Sequence, residues 1–329
     1  MNNIENYIDE LKRSIMFNLS LASKELFHSN FLGFLFEKDK SLFGKIAGIN
    51  NFKSETVLRE YKHIDIEVTG KDETKYLVEN KVKDIIDEKQ IKVIESRFCE
   101  GEYKTYFLFS LLGGTLEGLK TKYSYKTKYL WEEISYNEII KVLEKQDFND
   151  KLLNLMKDNY CAYMRSMIKL IEEQFKNCST YTLFSENETV KKLKEIRLHD
   201  VFLKYGTSHF MREFGKYNKD SSIKTGTFIS NSQAGMDFAK VKKGIRYGIQ
   251  IQNLQYRRFI ESSEETRKLF EKNGWFDPTW RSPRKLPYCK FSSKDTNVTF
   301  WYQYEKKSKI KNMSYKELAE KIMKDLEIL

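Results

Sequence analysis

The sequence has little of what zinc sites, disulfide frameworks and membrane spans require. Its 329 residues include four cysteines and four histidines, and no two cysteines lie close enough to form a Cys-x-x-Cys pair. The cysteines therefore indicate reduced thiols and predict a cytoplasmic protein. No run of about 20 apolar residues, the length of a membrane-spanning helix, is present. The first residues also lack the apolar segment of a signal peptide, so we expect no membrane partner.

The sequence also has fewer acidic residues than basic ones. The chain has 58 Lys and Arg against 47 Asp and Glu, a net charge of +11, and an isoelectric point of about 9.1. A basic excess favours a polyanionic partner, and nucleic acid is the commonest one. A codon bias towards Lys, Asn and Ile would produce a similar composition. The charge therefore supports a nucleic-acid partner only modestly.

The length predicts two domains rather than one. Alternating helix and strand patterns predict an α/β domain over residues 1–176, and residues 176–187 resemble a linker. Beyond the linker, helical periodicity over 187–215 is followed by several strand-like runs and two further helices. We therefore expect an α+β domain over residues 187–329, with a role in binding substrate or a partner.

Two consecutive runs in the first domain, 61–68 and 75–81, have the pattern of β-strands. Apolar and polar residues alternate in the first run, which is the period of a half-buried strand. The turn-like residues 70–72 between the runs predict an antiparallel hairpin. Its strands would present three charged side chains to one shared pocket: Asp65, Glu79 and Lys81.

Other elements of the first domain follow from periodicity. The continuous apolar run 106–112 predicts a strand buried on both faces. A further edge strand is predicted near 128–131. Helices are predicted over 4–16, from Ser20 or Ser23 to about Glu37, from Asp84 or Asp87 through Gln90, over 136–143 and over 152–175.

These residue types suit phosphodiester hydrolysis. Two carboxylates on adjacent strands, Asp65 and Glu79, can hold Mg²⁺ through oxygen ligands. A bound cation polarises a phosphoryl oxygen and lowers the pKa of a water molecule. Lys81 could orient that water or neutralise developing charge, and Gln90 could steady it. The alternative is a hairpin whose charged face meets solvent, because an acidic residue two positions before a lysine recurs by chance in a Lys-rich chain.

The chain resembles the PD-(D/E)xK nuclease superfamily over roughly its first 140 residues. The resemblance is carried by Glu25-Leu26-Phe27-His28-Ser29-Asn30-Phe31-Leu32, Asp65, Val78-Glu79-Asn80-Lys81 and Asp87-Glu88-Lys89-Gln90. It implies a restriction-endonuclease-like αβββαβ core with a mixed sheet, and Mg²⁺-dependent cleavage of nucleic acid. Asp65, Glu79 and Glu25 would be metal ligands, with Lys81 and Gln90 completing the catalytic set. The proline of the family's name is absent, since Ile64 precedes Asp65.

The sequence thus predicts a metal-dependent nuclease that uses Mg²⁺, for which Mn²⁺ can substitute. It favours DNA over RNA as the substrate without distinguishing the two. A role in bacterial defence is an analogy. The alternatives are a catalytically inactive nucleic-acid-binding module on the same fold, and a regulatory subunit. The oligomeric state stays open, and a dimer is compatible with the sequence.

Basic residues of the second domain form two groups near aromatic residues. Basic side chains neutralise phosphates and aromatic rings stack on bases, so both groups are candidates for nucleic-acid binding. An ordinary basic surface is the alternative interpretation. The first group is Lys240, Lys242, Lys243, Arg257 and Arg258, and the second is Trp275, Trp280, Arg281, Arg284 and Lys285.

Overall fold

The chain divides into two compact units, Met1–Lys176 and Asn177–Leu329. The computed structural model describes residues 3–21, 25–86, 88–99, 101–113, 128–176, 188–230, 233–252, 255–276, 289–292, 299–305, 310 and 313–328. In that part of the chain every helix is too short or too polar to traverse a lipid bilayer.

The first unit is an α/β structure built on a mixed sheet. Its helices are α1 (Asn3–Arg13), α2 (Ile15–Ser20), α3 (Glu25–Lys38), α4 (Leu42–Ala47), α5 (Glu88–Glu95), α6 (Tyr136–Leu143) and α7 (Lys151–Lys176). Its strands are β1 (Ser54–Tyr61), β2 (Ile64–Gly70), β3 (Lys75–Lys81), β4 (Thr105–Ser110) and β5 (Trp131–Ser135). The strands lie in the order β1-β2-β3-β4-β5. The β1–β2 and β2–β3 pairs are antiparallel, and the β3–β4 and β4–β5 pairs are parallel.

Apolar side chains cover both faces of the central strands. On one face, Leu77 and Leu108 pack with Ile91 and Ile94 of α5. On the other face, aromatic rings meet: those of Phe43 and Phe107 have centroids 5.7 Å apart, and Tyr76 and Phe52 join them. All six residues of β4 are buried, as the apolar run predicted. Burial on both faces is what a central strand between parallel neighbours requires.

The predicted hairpin of β2 and β3 is confirmed, whereas the predicted start of its first strand is wrong. Lys62 and His63 have positive φ angles of 51° and 61° and form a two-residue turn, because Tyr61 of β1 already pairs with Ile64 of β2. Positive φ at both central residues is the conformation of a type I′ turn, one of the two commonest two-residue hairpin connections. The preceding strand, β1, was missed because most of its side chains are exposed, so no apolar alternation marks it.

Helix ends follow local capping chemistry. The predicted helix 136–143 is confirmed, and the Ser135 hydroxyl and Glu138 carboxylate form a capping box at its start. The predicted helix 4–16 is instead split into α1 and α2. Ser14 interrupts it, because its hydroxyl accepts a hydrogen bond from the Phe17 N–H and so caps a new helix.

The second unit is built on an antiparallel sheet. Its helices are α8 (Glu188–Glu195), α9 (His199–Tyr217), α10 (Glu264–Lys272) and α11 (Tyr315–Leu326). Its strands are β6 (Lys224–Ser230), β7 (Gln233–Lys242), β8 (Ile245–Gln252), β9 (Gln255–Ser262), β10 (Cys289–Ser292) and β11 (Thr299–Tyr304). They lie in the order β10-β11-β9-β8-β7-β6, and each neighbouring pair is antiparallel.

One face of this sheet packs against α9 and α11. Phe214 of α9 meets Phe238 of β7 with ring centroids 4.6 Å apart, and Leu318 and Ile322 of α11 belong to the same core. The predicted strands and the two late helices are confirmed, although the helical stretch predicted over 187–215 is two helices. Strand β9 was missed, because its consecutive arginines, Arg257 and Arg258, resemble a basic loop more than a strand.

Candidate functional site

The hairpin register brings the two predicted carboxylates face to face. Ile66 of β2 pairs with Val78 of β3, and one step further along the same register Asp65 lies opposite Glu79. Residues directly opposite in an antiparallel pair have neighbouring side chains on one face of the sheet. Two acidic groups therefore share one point on the sheet, beside the end of β3.

Lys81 joins this pair from two residues along β3. Its Nζ lies 2.8 Å from Oε1 of Glu79, and its charge also acts on the carboxylates of Asp65 and Glu25. Burial alone would lower the pKa of the lysine, but the Glu79 carboxylate outweighs it and raises that pKa to about 12. This value favours the charged ammonium form of Lys81 at neutral pH.

Burial shapes the acidity of both carboxyl groups. Glu79 is only 8% exposed, and desolvation raises its pKa even though Lys81 favours the charged form. Desolvation also raises the pKa of Asp65, against the opposing effect of a 2.7 Å hydrogen bond from the backbone N–H of Asn80 to Oδ2. Both groups would gain from a further positive charge, because burial penalises a carboxylate that is incompletely compensated.

Glu25 reaches the same strand end from the start of α3. Its carboxylate accepts hydrogen bonds from the backbone N–H groups of Val82, at 2.7 Å, and Lys83, at 2.5 Å. Burial raises its pKa from an ordinary 4.5 to about 7, although both of these hydrogen bonds and the charge of Lys81 oppose the rise. Glu25 thus holds the backbone directly after Lys81. Its predicted role as a third metal ligand stays a prediction.

The carboxylates of Asp65 and Glu79 are the kind of oxygen ligands that Mg²⁺ binds. Among the described residues, no group of three or more His, Cys, Asp or Glu side chains is arranged to hold a metal ion. Mg²⁺, however, commonly uses one or two protein carboxylates and completes its coordination with water and substrate phosphate. Asp65 and Glu79 supply two desolvated oxygen donors of that kind.

Gln90, Glu67 and Arg97 are three further polar residues of the first unit, and their surroundings differ. Gln90 is in the first turn of α5 and its side chain is exposed, so its catalytic role stays a prediction. Glu67 is buried and accepts a short hydrogen bond from the Tyr103 hydroxyl. Arg97 donates to the backbone carbonyl of His63 at 3.3 Å, and its positive charge lowers the pKa of Glu79. Arg97 therefore adds positive charge beside the carboxylates.

A buried chain of polar side chains beneath the site escaped sequence analysis. Asn80 donates to the Ser29 hydroxyl at 3.3 Å and accepts from the Tyr136 hydroxyl at 2.9 Å. The chain continues through Tyr160, which donates to Tyr136 at 3.2 Å and lies 3.0 Å from Nδ1 of His28. His28 is thus a buried, hydrogen-bonded histidine of the core. In the sequence, the one sign of this hydrogen-bonded chain was the polar residue Asn80 between the charged residues Glu79 and Lys81.

The basic residues of the second unit differ in their surroundings. Lys242 and Lys243 are exposed, near the turn between β7 and β8. Lys240 forms an ion pair with Asp220 at 2.8 Å. Arg258 is 7% exposed, and its guanidinium binds Asp325 at 2.9 Å and the Trp275 carbonyl at 3.0 Å. Its predicted role in nucleic-acid binding stays a prediction.

One member of the second predicted group, Trp275, lies within the described part of the chain. Trp275 is fully buried and donates from Nε1 to the Phe259 carbonyl at 3.1 Å, which is a structural contact. The remaining members lie outside the described residues: Trp280, Arg281, Arg284 and Lys285.

No protein-family model, curated protein or solved structure matched this chain. The resemblance to PD-(D/E)xK nucleases therefore rests on the residues quoted above.

Proposed function

We propose that the first unit is a metal-dependent nuclease that hydrolyses phosphodiester bonds of nucleic acid. The observation that carries the proposal is the grouping of three charged side chains: the Asp65 carboxylate acts on that of Glu79, and the Lys81 ammonium lies 2.8 Å from Glu79. The element order α3, β1, β2, β3, α5 and β4 also matches the αβββαβ order of a restriction-endonuclease-like core, with α4 inserted. This agreement supports the proposal because the order follows from the backbone, not from the motif.

In this mechanism Asp65 and Glu79 hold Mg²⁺, or Mn²⁺ in its place. When bound, the cation supplies Lewis acidity towards a phosphoryl oxygen and towards water. The protein's own contribution is to keep both carboxyl groups buried beside the Lys81 ammonium, at one point of a rigid sheet. Sites built on strands hold their geometry more precisely than sites on loops.

Lys81 provides fixed positive charge where negative charge develops on the phosphate. Its pKa of about 12 keeps it protonated across the neutral range, so it donates hydrogen bonds and does not remove a proton from water. Removing one such donor typically lowers kcat by about 10²- to 10³-fold. Glu25 and Asn80 act as positioning residues. The Glu25 carboxylate holds the backbone N–H groups that follow Lys81, and the backbone N–H of Asn80, which precedes Lys81, holds the carboxylate of Asp65.

The test is cleavage of a panel of supercoiled plasmid, linear duplex, single-stranded DNA and RNA with Mg²⁺, with Mn²⁺ and with EDTA. We expect metal-dependent cleavage that Asp65→Ala and Lys81→Ala each reduce by at least about 10²-fold. Lys75→Ala is the matched control, because Lys75 lies on the same strand, β3, at its opposite end. This control should cleave like the wild type.

Binding of the cation is measured separately from cleavage. Mn²⁺ titration followed by electron paramagnetic resonance should show a site that the double variant Asp65→Asn, Glu79→Gln loses. An inert wild type on every substrate would favour the inactive binding module. Asp65→Ala and Lys81→Ala variants that cleave as fast as the wild type would refute the assignment of the catalytic site. Circular dichroism of each variant checks that the fold is kept.

A further inference from the structure

The net positive charge of this chain comes from its second unit. Residues 177–329 carry 30 Lys and Arg against 18 Asp and Glu, a net charge of +12, whereas residues 1–176 carry 28 against 29, a net charge of −1. The unit that holds the candidate catalytic site is thus nearly neutral. A polyanionic partner would be attracted to the second unit.

Strand β11 presents a row of aromatic side chains on one face of the second unit's sheet. Trp301 is buried in the core of this unit, and Phe300, Tyr302 and Tyr304, which alternate with the core-facing residues, are half-buried on the opposite face. The ring centroids of Phe300 and Tyr302 are 5.6 Å apart, and those of Tyr302 and Tyr304 are 5.4 Å apart. We call Phe300, Tyr302 and Tyr304 the aromatic row.

Arg257 of β9 lies at one end of the aromatic row, opposite Tyr304. Its guanidinium carbon is 5.1 Å from the ring centroid of Tyr302 and 5.7 Å from that of Tyr304. Its hydrogen-bond partners are neutral: the Gln252 side-chain oxygen at 2.8 Å and the Tyr304 hydroxyl at 3.4 Å. Arg257 is 7% exposed, and its buried Nε has no hydrogen-bond partner among the described residues.

Arg246, a second arginine on the same face of the sheet, differs from Arg257 in its charged partners. The Arg246 guanidinium carbon lies 4.9 Å from the ring centroid of Phe259, which stacks in turn on Phe300. Arg246 forms ion pairs with Asp237 at 3.1 Å and Glu261 at 2.5 Å, so its charge is compensated. Within the described chain no carboxylate lies within ion-pair distance of Arg257, although its charge acts on the Asp237 carboxylate that Arg246 already binds. A buried guanidinium whose neighbouring carboxylate is paired with another arginine favours an anionic occupant.

We propose that the aromatic row and Arg257 form a binding platform for single-stranded nucleic acid. Half-exposed rings offer flat faces on which unpaired bases stack, and the guanidinium supplies positive charge for a backbone phosphate. A duplex keeps its bases stacked on one another and cannot use the rings in this way. The platform is distinct from the proposed catalytic centre on β2 and β3, and it does not depend on cleavage.

The experiment measures fluorescence anisotropy of labelled oligo-dT and oligo-U with the full chain in EDTA, so that no metal-dependent cleavage occurs. We expect Tyr302→Ala and Tyr304→Ala each to weaken binding by about 5- to 100-fold, the loss typical of one stacked base. Tyr302→Phe keeps the ring and should bind like the wild type. The DNA and RNA probes show which strand the platform prefers.

The contribution of Arg257 is read from the salt dependence. Arg257→Gln should reduce the slope of log Kd against log salt by about 0.7, because one phosphate contact to a single strand is lost, and Arg257→Lys should restore it in part. The matched control is Lys316→Gln, which removes one exposed positive charge of α11 without touching the aromatic row. It should leave the slope unchanged.

Two results would overturn the proposal. One is a wild type that binds neither single strand in EDTA. The other is a Tyr302→Ala, Tyr304→Ala double variant that binds as tightly as the wild type. Circular dichroism checks each fold, and Tyr302→Leu, which keeps apolar volume without an aromatic face, replaces any alanine variant that unfolds. A wild type that binds oligonucleotides through Tyr302 without cleaving any substrate would refute the nuclease and leave the platform in place.

Discussion

Glu25 makes the stability of the first unit depend on pH. Its carboxyl pKa lies at about 7 in the folded chain against an ordinary 4.5, because burial outweighs the hydrogen bonds from Val82 and Lys83. Between these two values the folded chain keeps a proton that the unfolded chain releases. The free energy of unfolding contributed by this group is therefore highest below pH 4.5 and falls as the pH rises through 7.

The size of the effect follows from the pKa difference. One pKa unit corresponds to about 1.4 kcal/mol, so ionising Glu25 should lower the free energy of unfolding by about 3 kcal/mol across this range. Glu25→Gln stays neutral at every pH. We expect the free energy of unfolding of the variant, relative to that of the wild type, to rise by about 3 kcal/mol between low pH and pH 8. Its amide donates where a carboxylate oxygen accepted, which adds a pH-independent cost of about 1–3 kcal/mol.

The assay is urea unfolding at several pH values, followed by hydrogen-exchange mass spectrometry of peptides from β2 and β3, which report the first unit separately. The matched control is Glu144→Gln. A hydrogen bond from Arg165 lowers the pKa of Glu144, so this group is already ionised in both states above pH 5 and the difference from the wild type should be flat. A Glu25→Gln difference that is equally flat between pH 5 and 8 would refute the reasoning.

Two further substitutions test the cores of the two units. Gly248→Ala places a Cβ 2.2 Å from the backbone oxygen of Phe238, and we expect a loss of about 1–3 kcal/mol or more in the free energy of unfolding, measured by urea unfolding of the second unit. Tyr136→Phe removes the hydroxyl that donates to Oδ1 of Asn80. It should destabilise the first unit by about 1–3 kcal/mol and lower kcat of the proposed nuclease more than it changes KM.

Each of these substitutions has a control elsewhere in the chain. Gly215 lies in α9, where a new Cβ would meet nothing within 4 Å, so Gly215→Ala should stabilise the helix by about 0.5–1 kcal/mol. Tyr61 is exposed, and Tyr61→Phe should leave the first unit's stability unchanged. Equal effects of Tyr136→Phe and Tyr61→Phe would show that the hydrogen bond to Asn80 is not significant for stability.

The elements that sequence analysis predicted correctly have one face or both faces buried. Strand β4 is a continuous apolar run, and β2 and β3 alternate, because the core demands apolar side chains at a fixed period. Strand β1 was missed for the converse reason, since its exposed side chains impose no pattern. The turn at Lys62 and His63 was also missed, because its residues lack the glycine or asparagine that usually marks positive φ.

The sequence by itself determined the strands that carry Asp65, Glu79 and Lys81, and the hairpin that joins them, because these depend on neighbours a few residues apart. Only the tertiary structure decided what those side chains meet. The carboxylate of Glu25 binds amides 57 and 58 residues away, and Tyr160 reaches His28 across 132 residues. The same distinction separates Arg257, beside half-exposed rings, from its neighbour Arg258, which points into the core. Adjacent residues of a strand point to opposite faces, and what covers each face comes from distant parts of the chain.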